Sequence, residues 1–411
     1  MQRFHIAILA IAMTLLFAPQ ARGQERAAPD TTASLEEIEA RLLEELGAVD
    51  SATADSVPGR LTPDQGARSL NPDISLIADF LVDLSPDEPT IEGDDRFQLR
   101  EVEVGVQGSV DPYFRYDAFL AIHGGEIEVE EGYATTLGLP AGLQAKIGQF
   151  RPPFGKVNLT HRPELHTIDF PLLHQEFFGE EGLASAGVWL STIGAPLGFF
   201  QELSLAATNG TEENAHAEAG EEEIPDEDPD PDEDPDPGPG KDLFDDLADR
   251  LWVAHLKNSW DLSPAVNLEV GSSWATSATD EPERVRTSLY GLDAIWRWKP
   301  PAQAKYRSAV LQGEVAWRNE AGSGETHAGA FAFAQYQLSR RTYVGARYDY
   351  VEQPEDGATL QSGQAILRVF PTEFSQLRLV YERQVAEEGD AVDRFLFQTT
   401  FALGPHRPHA Y

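Results

Sequence analysis

Cysteine is absent from the 411 residues, so neither disulfides nor thiolate-bound metals contribute to this fold. Long apolar runs are also missing: beyond residue 23, no stretch approaches the ~18 consecutive apolar residues of a membrane-spanning helix. Cations are scarce. Lys and Arg number 31 against 69 Asp and Glu, for a net charge of -38. A phosphate backbone needs a cationic face, which excludes nucleic acid as a partner. No Ser/His/Asp, Cys/His or phosphate-loop pattern sets out catalytic groups, so neither an enzyme nor a cofactor is expected.

What is present begins with export. Arg3 precedes an apolar run from Ile6 to Ala18, too short to span a bilayer, and Ala21-Arg22-Gly23 supplies the small residues a signal peptidase needs. Residues 1–23 therefore read as a signal peptide cleaved after Gly23. An exported chain without a transmembrane helix either stays in solution or enters an outer membrane as a closed β-barrel. Residues 24–70 read as a periplasmic helix and linker. Ser34 and Glu37 make a capping box, Leu35, Ile38, Leu42 and Leu46 keep helical spacing, and Gly47 ends a helix over 34–46. Three turns with so narrow an apolar stripe need a partner surface.

From Asn71 the period changes from 3.6 to 2. Ile74, Leu76, Ala78, Phe80 and Val82 alternate with Ser75, Asp79 and Asp83, and Leu377, Leu379 and Tyr381 with Gln376, Arg378 and Glu382. The pattern predicts strands at 73–84, 96–109, 112–123, 126–138, 142–150, 183–194, 199–208, 249–261, 264–276, 285–298, 306–318, 327–338, 341–353, 359–369, 373–386 and 392–403. Sixteen is an even number, and most are long enough to cross a bilayer at a tilt. A phase change at Arg100-Glu101 suggests a bulge.

Connections alternate as well. Tight turns are expected at Val110-Asp111, Pro140-Ala141, Ala195–Gly198, Ser263-Pro264, Ser339-Arg340 and Pro371-Thr372. Long loops fall at 151–181, 209–248, 277–284, 319–326 and 354–358, with Gly124-Gly125 as the short exception among them. Short turns on one rim and long loops on the other is the outer-membrane arrangement. Trp252, Trp260, Trp296, Trp298 and Trp317, with Tyr113, Tyr116, Tyr348 and Tyr350, fall near strand ends, where interfacial girdles sit. Terminal Tyr411, after Phe395, Phe397 and Phe401, is the type of ending that barrel-assembly machinery recognises. The expectation is an all-β transmembrane antiparallel barrel of about sixteen strands over 71–411. A soluble sandwich shares the alternation but buries the apolar face instead.

Four stretches, "NPDISLIADF" at 71–80, "FQLREVEVGVQGSVDPYFRYDAFLAI" at 97–122, "VEEGYATTLGLPAGLQAKIGQFRPPFGKVN" at 129–158 and "HQEFFGEEGLASAGVWLS" at 174–191, resemble the phosphate-selective porin O and P family. The terminal "LGPHRPHAY" at 403–411 is similar too. Together they cover about a quarter of the chain. The resemblance implies a sixteen-stranded barrel, often a homotrimer in outer-membrane lipid, that passes small solutes. Anion-selective members depend on lumenal Arg and Lys, and the acidic balance here gives no anion trap, so phosphate selectivity is not carried over.

Pore-lining candidates are Arg115, Asp117, Lys146, Arg151, Lys156, Arg162, Lys257, Arg347, Asp349 and Arg378, with His255, Glu101, Glu103, Glu128 and Glu130 also on the lumenal phase. Loop 151–181, holding His161, Glu164, His166, Asp169, His174 and Glu176, is the candidate constriction, since close charges in a narrow pore select at short range. A plug that simply packs is the competing reading. Its His and Glu residues lack HExxH or any fixed ligand spacing, so no metal site is expected. Segment 211–240, with fourteen acids, six prolines and no base, reads as an extended extracellular charge brush that draws divalent cations weakly. The function expected is a porin or porin-like channel for passive diffusion of small charged solutes. The alternative is a non-conducting barrel serving as a surface scaffold or an adhesion or cation-binding protein through its acidic loop.

Overall fold

A computed structural model describes residues 72–86, 89–91, 95–124, 126–209, 250–278, 286–387 and 389–404. The expected signal peptide, the helix at 34–46, the linker, nearly all of the acidic loop and Tyr411 lie outside them. The sixteen strands are β1 Asp73–Asp83, β2 Phe97–Ser109, β3 Phe114–His123, β4 Glu126–Thr136, β5 Leu143–Phe150, β6 Ser185–Gly194, β7 Phe200–Thr208 and β8 Leu251–Ser263, continuing as β9 Val266–Ala278, β10 Arg286–Trp298, β11 Ala309–Glu320, β12 Thr326–Ser339, β13 Thr342–Glu352, β14 Thr359–Thr372, β15 Ser375–Ala386 and β16 Val392–Leu403. Each pairs antiparallel with its neighbours in sequence, and β1 closes on β16. Closure leaves no unpaired strand edge, as a chain crossing lipid requires.

Alternation sorts the side chains. On β1 and β15, Asp79, Asp83, Arg378 and Glu382 point inward and are buried, whereas Ile74, Phe80, Leu379 and Tyr381 point outward and are exposed. A soluble sandwich would bury the second set. Polar groups inside and apolar groups outside is the arrangement of a barrel solvated by lipid. Two aromatic bands follow from register. Trp274, Tyr290 and Trp317 lie side by side across β9, β10 and β11 on the long-loop side. On the opposite side Phe199 packs against Trp260 and Trp298 stacks on Tyr336.

Even-to-odd connections are mostly tight turns, and both ends of the sheet, Asp73 and Leu403, lie on their rim. Gly124 turns the short exception on the long-loop rim, where His123 pairs with Glu126. Several boundaries differ from the sequence expectation, most by one or two residues, as where Ser339 pairs with Thr342 and moves that turn to Arg340-Arg341. Ser263 pairs with Val266, so the turn is Pro264-Ala265. β11 starts at Ala309 because a 3-10 turn at Pro301–Gln303 lengthens the connection. β14 runs through Pro371-Thr372 to a turn at Glu373-Phe374, since a register shift after Val369 accommodates a proline that donates no ladder bond.

Two bulges reshape the lumenal face. Asp79 pairs with Glu101 but Phe80 with Leu99, so Arg100 is the extra residue; Phe119 pairs with Glu131 but Leu120 with Val129, so Glu130 is. A bulge turns two consecutive side chains to one face. Arg100 with Glu101, and Glu130 with Glu131, are accordingly all buried inside the barrel.

Candidate functional site

The β5–β6 connection, residues 151–184, folds into the lumen. Pro152-Pro153 stop β5, and Gly155 turns the chain at φ +62°, a conformation a side chain resists. Asn158 staples the base: its amide donates to the carbonyls of Pro152 and Leu183, both 2.9 Å, and its oxygen accepts from the Leu183 amide at 2.7 Å. A short helix, α1 (Leu172–Phe178), follows Pro171 and stops at Gly179. Phe154, Leu165, Ile168, Phe170, Leu173, Phe177 and Phe178 bury their apolar surface against Phe331, Phe333 and Val351 of the wall. The loop therefore carries its own small core into an otherwise polar interior.

Charged walls hold its backbone in place. On the β9–β11 side, Glu314 accepts from the amides of Lys156 and Val157, each at 2.8 Å, and pairs with His174 Nε2 at 2.8 Å. Ser273 accepts from the Gly155 amide, and Lys156 Nζ reaches Glu269 at 3.3 Å. On the opposite side, guanidinium groups donate to loop carbonyls. Arg378 serves Leu165 and Thr167, Arg347 serves Asp169 and Phe170, and Arg100 serves Ile168. Arg347 also pairs with Asp349, whose carboxylate accepts from the Leu172 amide at the start of α1. Such charge-assisted bonds are about twice as strong as neutral ones.

The loop's histidines sit in opposite fields. His161 is fully buried, with Nδ1 3.1 Å from Glu103 and 2.9 Å from Glu130, and Nε2 2.9 Å from Glu131. Burial disfavours its charge, but Glu130 and Glu103 overcome that and hold it well above the ordinary histidine range. His166 stacks on Phe333 and accepts from Arg368 at 2.8 Å. Burial, then the charges of Arg368 and Arg378, push it down to about 3. Asp169 is half-buried, and Arg100 and Arg394 hold its carboxyl below the usual range.

Nine of the ten pore-lining candidates fall into two groups, and the tenth, Asp117, is buried beside Arg115. Arg347, Asp349 and Arg378 point into the barrel from the wall, where the loop covers them, and Arg151 and Lys156 are buried residues of the loop itself; Arg378 has no exposed surface at all. They act as anchors, with Arg151 bound to Glu130 at 3.0 Å and to the Glu181 carbonyl. Arg115, Lys146, Arg162 and Lys257 remain partly exposed. Arg115 pairs with buried Asp117 at 2.6 Å, Lys257 with Glu202 at 2.6 Å, and Arg162 with Glu181 at 3.4 Å. Lys146 lies over the rings of Tyr133 and Trp189. Arg297 joins this set, paired with Glu269 at 2.5 Å. Apart from Arg162, these partly exposed charges cluster toward the short-turn rim on β3, β5 and β7–β10. Between them and the loop lies a cavity of about 290 Å³ bordered by Lys156, His166, Arg297, Phe331 and Arg347.

Asn158, Glu314, Arg368, Arg297 and Glu131 were missed by sequence reasoning. Glu131 left a trace: two consecutive acids in an alternating strand require either a charge in lipid or a bulge. Asn158 and Glu314 left none, because a loop's anchors are chosen only when it lies against the wall.

No family model matches the chain, so the resemblance read from its segments rests on those segments. A protein of Aquifex aeolicus (strain VF5), described only as uncharacterized, is 28% identical over 353 residues, 77% of this chain and 70% of that one. In three dimensions the barrel is similar to Salmonella typhi OmpF in complex with daunomycin, with TM-score 0.52, 9% identity, and 82% of this chain against 99% of that one. It is also similar to an anion-selective porin from Comamonas acidovorans, with TM-score 0.51, 8% identity, and 81% against 99%. The outer membrane channel DcaP of Acinetobacter baumannii gives TM-score 0.50, 8% identity, and 81% against 96%. At these identities the likeness is one of fold.

Proposed function

We propose that the protein is an outer-membrane porin-like channel for passive diffusion of small charged solutes, with loop 151–184 as its constriction and no catalytic step. The observation that carries this reading is the seating of the loop. It is tied by charged groups to facing walls and leaves partly exposed Arg115, Lys146, Lys257 and Arg297, interleaved with Asp117, Glu202 and Glu269, along one side of the lumen. Fixed charges of both signs in a narrow passage sort solutes by charge and width. Likeness of fold to OmpF, to an anion-selective porin and to an outer membrane channel supports the same reading.

In this scheme residues 1–23 are removed on export, 24–70 lie in the periplasm, and the short-turn rim faces the periplasm. The segment at 209–248 lies outside the cell, where its acids attract cations. Homotrimer formation and phosphate-type selectivity belong to the resemblance, and selectivity is the part the acidic charge opposes. A second reading, a closed barrel acting as a surface scaffold, draws on the apolar core the loop buries in the lumen.

Single-channel recording in planar bilayers under a salt gradient separates the two. Discrete conductance steps with a reversal potential away from zero are expected. Folded, heat-modifiable protein that never conducts would leave the scaffold reading in place.

A further inference from the structure

We propose that His161, Glu103 and Glu130 form a binding site for a divalent transition-metal cation of the Zn²⁺ class, which clips the infolded loop to β2 and β4. Such a clip would serve a conducting channel and a closed barrel alike.

Three donor atoms converge. His161 Nδ1 lies 3.1 Å from Glu103 Oε2 and 2.9 Å from Glu130 Oε2, and one donor atom from each residue falls within 4.8 Å of the others. Ligands at ~2.0–2.2 Å from a tetrahedral zinc stand about 3.4 Å apart, close to this spacing. Modest outward movement of the side chains makes room for the ion. One nitrogen with carboxylate oxygens suits zinc-class ions better than Ca²⁺ or Mg²⁺, which take six or more oxygens or keep their water.

Glu131 supplies what metal-bound histidines generally need. Its carboxylate lies 2.9 Å from His161 Nε2, so it accepts that proton and leaves Nδ1 for the two other carboxylates. A carboxylate on the far ring nitrogen fixes the tautomer and raises ligand basicity. The bulge at Glu130 makes this possible, because it places Glu130 and Glu131 on the same face, one for each side of the imidazole.

Charge points the same way. Glu101, two residues before Glu103 on the same face of β2, is 3% exposed, and its Oε1 has no hydrogen-bond partner among the described residues. It is close enough to repel Glu130 and Glu103. Four buried carboxylates thus gather around His161 and Arg151, with Arg100 and Arg162 also acting on Glu101. Carboxylates crowded together in a buried site are stabilised by a cation placed among them. Binding would exchange the His161 Nδ1 proton for a divalent cation, a gain of one positive charge.

A second His/Glu group provides the control. His123 Nε2 lies 3.1 Å from Glu128 Oε2, with Glu181 nearby, but this cluster is only half-buried.

The test uses the full mature chain, folded in detergent and equilibrated with ZnCl2 during folding, then dialysed and assayed for bound zinc. One zinc per chain is expected, retained on dialysis and released by EDTA only once the protein is unfolded, with a higher temperature for loss of the folded electrophoretic form. Both effects should disappear in His161→Ala and survive in His123→Ala. Glu131→Gln, which preserves size, should weaken retention at least tenfold, and it keeps the test decisive if His161→Ala fails to fold. Folded wild type without stoichiometric zinc would overturn the proposal. So would zinc that His123→Ala removes and Glu131→Gln leaves unchanged.

Discussion

Glu314 shows how a single side chain positions the loop. Its carboxylate accepts two consecutive backbone amides and pairs with His174, and 6% of its surface is exposed. Removing it orphans buried donors, at a cost of about 3 kcal/mol to loop seating. Glu314→Ala should therefore leave the barrel heat-modifiable but admit limited proteolysis within 151–184, read by mass spectrometry of the fragments. Gly155→Ala should act the same way, because a Cβ there would lie 2.3 Å from Glu314 Oε2 in a backbone already at positive φ. His166 adds to the acid sensitivity of the fold. Its ordinary value is 6.5 and its folded value about 3, so the folded state holds it neutral. The stability it contributes is present above pH 6.5 and falls as pH drops toward 3. His166→Gln, which accepts from Arg368 without titrating, should flatten that decline in acid denaturation curves; an unchanged acid limb would refute the assignment.

At the scale of the element, the loop and the wall are folded by different forces. The strands follow from alternation and closure, and the loop from a private apolar core plus charge-assisted anchors on facing walls. This division predicts that the loop is separable. Replacing residues 156–179 with a short glycine linker should leave the β-sheet circular dichroism and heat-modifiability in place and raise single-channel conductance several-fold. Conductance that stays the same would mean that the loop is not the constriction.

Across the whole molecule, charge is unevenly shared. The described lumen pairs most of its charges, whereas segment 211–240 carries fourteen acids without a base. If that segment sits at the channel mouth, its field raises local cation concentration and falls off within ~10 Å at 0.1 M salt. Deleting 211–240 should move the reversal potential in the anion direction at low ionic strength and have little effect at 1 M salt.

Fold class, strand count and rim asymmetry were legible in sequence because period-2 alternation with charge on one phase has few closed solutions. The bulge at Arg100 was legible too, as a break in phase. Boundaries at Pro371 and Ser263 were not, because register shifts allow a strand to absorb residues that ordinarily end it. The interior was only half readable. Alternation assigned Arg347 and Arg378 to the lumenal side, but whether they face solute or hold a loop depends on contacts more than a hundred residues apart. Periodicity is a local property, written along each strand. Where an infolded loop comes to rest depends on which walls closure brings together, and only the tertiary structure decides that.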